Sequence, residues 1–258
     1  MKKTIILMFV FMMTACSANT EPSQTLTQDE TGSTIETRFA PPPGFQRAVE
    51  DEGSFAFYLR SLPLKPKSAK VKYYDGREKA NPGVYIAVVD MPISKRDLQQ
   101  CADAVIRLKG EWLYAQKRYD EIKFNFVADG KPRYYKDYAK GDYSYEKFLK
   151  YMDWVFAYAN TASLHDELRP VKDFSDMRAG DVFVQKGRPY GHAVIVVDTA
   201  QNAAGEKVYM LAQSYMPAQE TQLLQNPKNP KLSPWYELKD GIIYTPEWTF
   251  YPQDLRRF

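Results

Sequence analysis

The stretch Gly191-His192-Ala193-Val194-Ile195-Val196-Val197-Asp198 constrains this chain more than any other. Its five consecutive apolar residues are mostly β-branched, a composition that suits a pleated sheet and crowds a helix. It therefore predicts a strand that opens on Gly-His and closes on an acid. Just upstream, Arg178-Ala179-Gly180-Asp181-Val182-Phe183-Val184 sets a Gly-Asp turn before another β segment. Downstream, Tyr209-Met210-Leu211-Ala212-Gln213-Ser214 is a third, ending in polar side chains. With Val208–Ala212 and Ile242–Tyr244, the region after Pro170 becomes a series of short strands punctuated by Gly, Pro and Asn.

Before Pro170 the periodicity is mainly helical. Phe55, Tyr58, Leu59 and Leu62 share one face of a segment from Ser54 to Leu62. Ser94-Lys95-Arg96-Asp97 predicts a capped helix start, followed by a stripe of Leu98, Cys101, Ala102, Val105, Leu108, Trp112, Ala115 and Tyr119. A further helix is expected from about Ser144 to Tyr158, with Phe148, Tyr151, Met152 and Val155 inward. Val84–Val89 and Ile122–Val127 are expected strands within this half. Helices first and a compact antiparallel sheet later predict an α+β fold.

The N-terminus speaks of location. Met1-Lys2-Lys3, the apolar run Ile5–Met13 and then Thr14-Ala15-Cys16 carry the two charges, short hydrophobic core and small residues of a cleavable secretory signal. The run is too short to cross a hydrocarbon layer of about 30 Å as a helix. The signal is assigned to residues 1–15, and Thr14-Ala15-Cys16 resembles a bacterial lipobox. That resemblance implies that Cys16 is acylated, with palmitate among its chains, and becomes the first residue of a membrane-tethered lipoprotein. Ser17 after the cysteine favours outer-membrane sorting, with the domain facing the periplasm of the cell envelope. Residues 16–37, rich in Ser, Thr, Gln and Asn, are expected to be a flexible tether. Pro41-Pro42-Pro43-Gly44 is a stiff lead-in lying against the domain surface. Residues 38–258, roughly 220 in all, suffice for a single domain with its own core.

Charge and cysteine content exclude several functions. Loss of Lys2 and Lys3 with the signal takes the formal charge from +3 to +1, with acids and bases interspersed, so no nucleic-acid partner is expected. Once Cys16 is lipidated, Cys101 is the one remaining thiol, so no disulfide can form within the chain. One Cys and two His cannot build a zinc cluster; no metal and no cofactor are expected.

The Gly-Asp turn, the Gly-His strand and the polar-ended third strand together resemble the NlpC/P60 group of papain-like amidases, over roughly residues 140–215. The resemblance implies His192 as general base and Gln213 as the residue that orients its imidazole. A neutral histidine can take a thiol proton when its other nitrogen is held. The resemblance also implies a Cys at the start of the helix before the Gly-Asp turn, and here the sequence departs from it. That place holds Tyr143 and Ser144, and Ser at a helix start is commonly an N-cap. Cys101 is the alternative nucleophile, although the expected 94–119 helix places it about two turns in, on the apolar stripe, as a buried small hydrophobe would be.

Asp103, Arg107 and Glu111 follow at i,i+4 spacings, either as a solvated ion-pair ladder or as the lining of a cleft. Tyr190, Ser214 and Tyr215 flank the Gly-His and Gln213 positions and are further candidates for ligand contact. Trp235, Tyr236 and Trp248 add aromatic groups suited to glycan contact or to a core. The mature chain as a whole is also similar to one uncharacterised family of envelope lipoproteins, domain of unknown function 4846. The match rests on Arg38-Phe39-Ala40-Pro41-Pro42-Pro43-Gly44-Phe45, Gln99-Gln100-Cys101-Ala102-Asp103-Ala104, the Gly191–Asp198 stretch and Leu211–Gln219. That family implies no activity. Two functions stay open: a cysteine amidase or peptidase acting on cell-wall or peptide substrates, and a non-catalytic lipoprotein whose degenerate pocket binds peptidoglycan, glycan or protein.

Overall fold

The apolar run at 193–197 has no polar face to offer water because both of its faces are covered. A computed structural model describes residues 29, 31–239 and 241–258; the signal, Cys16 and most of the expected tether lie outside the described residues. The helices are α1 (Ile35–Arg38), α2 (Phe55–Arg60), α3 (Cys101–Ala115), α4 (Tyr135–Ala139), α5 (Tyr145–Tyr158) and α6 (Thr161–Glu167). The first strands are β1 (Phe45–Arg47), β2 (Tyr85–Val88), β3 (Lys123–Asn125), β4 (Pro132–Tyr134) and β5 (Arg169–Pro170). After these come β6 (Val182–Gln185), β7 (His192–Asn202), β8 (Lys207–Gln213) and β9 (Gln222–Leu224). The last four are β10 (Tyr236–Glu237), β11 (Ile243–Tyr244), β12 (Thr249–Phe250) and β13 (Leu255–Arg257).

The fold is α+β, built on a large antiparallel sheet. Its order is β2-β9-β8-β7-β6-β13-β5, with β1 pairing the far end of β7 and β10 pairing β8. Strands β3 with β4, and β11 with β12, form separate two-stranded pairs. Along β6, β7 and β8 the side chains alternate between two layers. Val182, Val184, Ala193, Ile195, Met210 and Ala212 face a core built with α3 and α5. Phe183, Val194, Val196, Tyr209 and Leu211 face a second core with Val84, Ile243 and Phe250. A strand buried on both faces is near-continuously apolar, which explains the run that dominates the sequence.

Several local expectations shift. Helix α3 starts at Cys101, not near Ser94, because the expected cap is engaged elsewhere. Asp97 Oδ1 accepts the Ala218 amide at 2.7 Å and Gln100 Nε2 at 3.2 Å. Asp103 instead reaches back to the Gln100 amide at 3.0 Å and closes the first turn. Helix α3 is buried on nearly every side, so Asp103, Arg107 and Glu111 are not a solvated ladder. Of the two places open to Trp235 and Tyr236, glycan contact or a core, they take the core; the Trp235 indole donates to the Ala40 carbonyl at 3.0 Å. Among the described residues no helix is long and apolar enough to cross a membrane.

Candidate functional site

Cys101 is the first helical residue of α3, with Gln100 as its N-cap. Its thiol therefore stands at the helix terminus where unpaired amides favour negative charge. The thiol stands in the helical layer beside the Ala193 backbone amide on β7, which favours its charged form. Ala193 still pairs with Val184 on β6, but lies beyond the β7–β8 pairing, which stops at Ile195 opposite Ala212. The residue is only 6% exposed. Burial first, and the Asp103 carboxylate second, push the thiol up to about 11, while the Ala193 amide pulls the other way. In this resting geometry the group is a thiol, not a thiolate.

His192 opens β7 next to Ala193 and enters from the second layer. Tyr215, Trp248 and Phe250 surround its ring, with centroids at 4.9, 5.2 and 5.8 Å. It is 1% exposed, and that burial lowers its pKa to about 4; Lys79 adds to the depression and Gln213 opposes it. The ring is neutral at pH 7. Its Nε2 lies 2.8 Å from Gln213 Oε1. An amide oxygen only accepts, so Nε2 carries the proton and Nδ1 is left with a free lone pair. Gln213 Nε2 in turn donates to Glu247 Oε2 at 2.6 Å. Lys79 Nζ pairs with that same oxygen at 2.7 Å and donates to Gln219 Oε1 at 3.0 Å.

A cavity of about 220 Å³ opens at the start of α3, lined by Cys101, Asp103, Thr161, Tyr190, Gly191 and Met216 among others. Gly191 fits there because a Cβ would come within 2.1 Å of the Gln185 carbonyl oxygen and 2.6 Å of Thr161 Oγ1. Any larger residue would force the β6–β7 connection away from the cavity wall. Asp103 Oδ2 holds the Gln100 amide, while Oδ1 is buried with no hydrogen-bond partner. Burial raises this carboxyl to about 8.

The structure brings together some of the sequence candidates and separates others. His192 and Gln213 are hydrogen-bonded as expected from the sequence. Tyr215 packs against the imidazole, and Tyr190, 62% exposed, stands on the cavity rim. Cys101 and Asp103 line the cavity. Ser214 is corrected: its hydroxyl is fully buried, its one proton shared between the Gln219 carbonyl at 2.7 Å and the Gln99 carbonyl at 3.1 Å, so it has nothing to offer a ligand. Arg107 is corrected as well. It is buried among Glu111 at 2.6 Å, Gln99 Oε1 at 3.4 Å and Tyr145 Oη at 3.2 Å, outside the cavity lining. Ser144 is the N-cap of α5, accepting from Lys147.

Sequence reasoning missed Glu247, Lys79 and Gln185. Gln185 Oε1 accepts the Trp248 indole at 2.9 Å and so fixes the ring that covers His192. Glu247 was visible only as the neighbour of Trp248; no local spacing ties it to Gln213, 34 residues upstream. Among the described residues no group of three or more His, Cys, Asp or Glu could hold a metal ion.

A family model described as domain of unknown function 4846 matches residues 35–143 and 130–257. No curated protein and no solved structure matches the chain.

Proposed function

The chain belongs to the family described as domain of unknown function 4846, and since that description carries no chemistry, we propose from its own residues that it is a papain-like cysteine amidase or peptidase of NlpC/P60 type. One observation carries the reading: Cys101 occupies the first position of a long helix, on a cavity, with its thiol beside the backbone amide that follows His192. The nucleophile that the resemblance places at a helix start thus has a counterpart in α3, upstream of where it was sought.

In the proposed reaction the Cys101 thiol proton passes to His192 Nδ1 as sulfur attacks the substrate carbonyl carbon. The α3 N-terminus stabilises the oxyanion that forms. The imidazolium then protonates the leaving amine, giving a thioester; water, deprotonated by the same nitrogen, releases the acid and restores the thiol. Gln213 keeps Nε2 protonated throughout. A neutral thiol and a neutral imidazole suit this concerted transfer better than a preformed ion pair.

The sequence signals at residues 1–16 support an exported lipoprotein, tethered through Cys16 to the outer membrane and facing the periplasm. Cell-wall peptides are the substrates that such a location supplies. The second reading, a non-catalytic binder, is favoured by the buried, high-pKa thiol. The deciding experiment incubates the mature chain with muropeptides and reads the products by mass spectrometry. Cleavage lost in Cys101→Ala and in His192→Ala supports the enzyme. Muropeptide binding without cleavage, unchanged in Cys101→Ala, leaves the binder.

A further inference from the structure

We infer that Glu247, fixed by Lys79, is the positioning residue that selects the tautomer of His192. The role of that tautomer as a base rests on the cysteine-amidase reading; the selection itself does not.

The side-chain amide of Gln213 is nearly symmetric in shape, and rotating it by half a turn exchanges its oxygen and nitrogen. If the nitrogen faced His192, the ring would have to accept at Nε2 and carry its proton on Nδ1. The lone pair needed for proton abstraction would then be occupied by Gln213. Nothing in the His–Gln pair alone prevents this, because either orientation makes one hydrogen bond.

The choice is made one residue further out. Glu247 Oε2 lies 2.6 Å from Gln213 Nε2, and a carboxylate oxygen only accepts. The rotated amide would set its oxygen against that carboxylate, exchanging a charge-assisted bond for a repulsion. Glu247 in turn is held by the ion pair with Lys79, whose side chain is 4% exposed. Lys79 is anchored from behind by Gln219 Oε1, which also accepts from Gln222 Nε2 at 2.9 Å. From Gln222 Nε2 to His192, every hydrogen bond in the row thus has a fixed direction. A merely structural ion pair would hold the chain in place without imposing that direction on a ring two bonds away.

The test is a long-range ¹H–¹⁵N correlation spectrum of the imidazoles at pH 7. The chain has two histidines, so His165→Gln assigns the pair. In the wild type His192 gives a single Nε2–H pattern. In Glu247→Ala no acceptor faces Gln213 Nε2 and the Lys79 ammonium draws the Gln213 oxygen instead, so the Nδ1–H form rises from undetected to a comparable population. Should the alanine variant fail to fold, the double variant Lys79→Met with Glu247→Gln decides, because without the ammonium the new amide can turn either way; its folded state is verified by amide dispersion in the same sample. A wild-type ring protonated on Nδ1, or a ring that stays purely Nε2–H in the folded alanine or double variant, overturns the inference. The readout needs no substrate, so failure of the muropeptide experiment and failure here are separate results.

Discussion

Replacing Asp103 with asparagine stabilises the folded chain at neutral pH, and the gain grows as pH rises. The carboxyl is 5% exposed, one oxygen holds the Gln100 amide, and the other has no partner. Burial moves its pKa from 3.8 to about 8. The unfolded chain therefore releases this proton near pH 4 while the folded chain keeps it to about pH 8. A raised carboxyl contributes stability that is complete below the unfolded pKa and is lost as pH rises towards the folded one. At about 1.4 kcal/mol per pH unit, the decline between pH 4 and pH 7 is roughly 4 kcal/mol. The asparagine of Asp103→Asn has no charge to bury, and its oxygen can still accept from Gln100. Its amide N–H groups inherit the unpartnered position, at a cost of about 1–3 kcal/mol, so the net gain at pH 7 is about 1–3 kcal/mol. Urea unfolding of both proteins at each pH from 4 to 8, followed by tryptophan fluorescence, measures the difference directly. Glu167, raised to about 7, and His192, lowered to about 4, titrate in both proteins and cancel. A difference between variant and wild type that is flat across this range would show that Asp103 ionises as it does in water, and the argument would fail.

The remaining predictions concern the thiol, the imidazole and a cap. Alkylation of Cys101 by iodoacetamide is slow at pH 7 and rises about tenfold per pH unit towards pH 11; Asp103→Asn speeds it above pH 8, where the Asp103 carboxylate is charged, and a rate that levels off below pH 8 would contradict the buried-thiol geometry. His192 has its folded pKa depressed, so its contribution is present above pH 6.5 and is lost as pH falls to about 4. That loss amounts to roughly 3 kcal/mol in wild type and is missing from the same urea series in His192→Gln. Ser144→Ala removes an N-cap and lowers stability by about 1 kcal/mol, with muropeptide cleavage unchanged; a loss of cleavage in the folded variant would move the nucleophile to α5.

The sheet was legible because its strands carry their own statement of burial. β6, β7 and β8 were each bounded by turn residues and filled with β-branched or aromatic side chains, and they pair as neighbours in the structure. The covering of both faces was not legible in the same way. The second layer is assembled from Val71, Val84, Ile243, Phe250 and Leu255, which come from both ends of the chain and carry no periodic pattern of their own. The same distance in sequence hid the burial of Trp235, whose indole partner lies 195 residues away.

At the site, His192 and Gln213 could be paired from sequence because adjacent antiparallel strands bring residues at their shared end together, whatever the loop between them does. Cys101 was misplaced for the opposite reason. Two acids competed to start the same helix: Asp97 after Ser94, and Asp103 three residues after Gln100. Local spacing favoured the first. The fold commits Asp97 to the Ala218 amide, 121 residues away, and only Asp103 remains to close the first turn. That one long-range bond moves the helix start by about two turns and turns the thiol from a core residue into the head of α3. A variant that frees Asp97 from Ala218, without touching Cys101, should therefore let the helix grow backwards and silence the thiol. Ala218→Pro removes the donor, and slower alkylation of Cys101 in the folded variant is the expected result. An unchanged rate would show that the start of α3 is fixed by Asp103 alone.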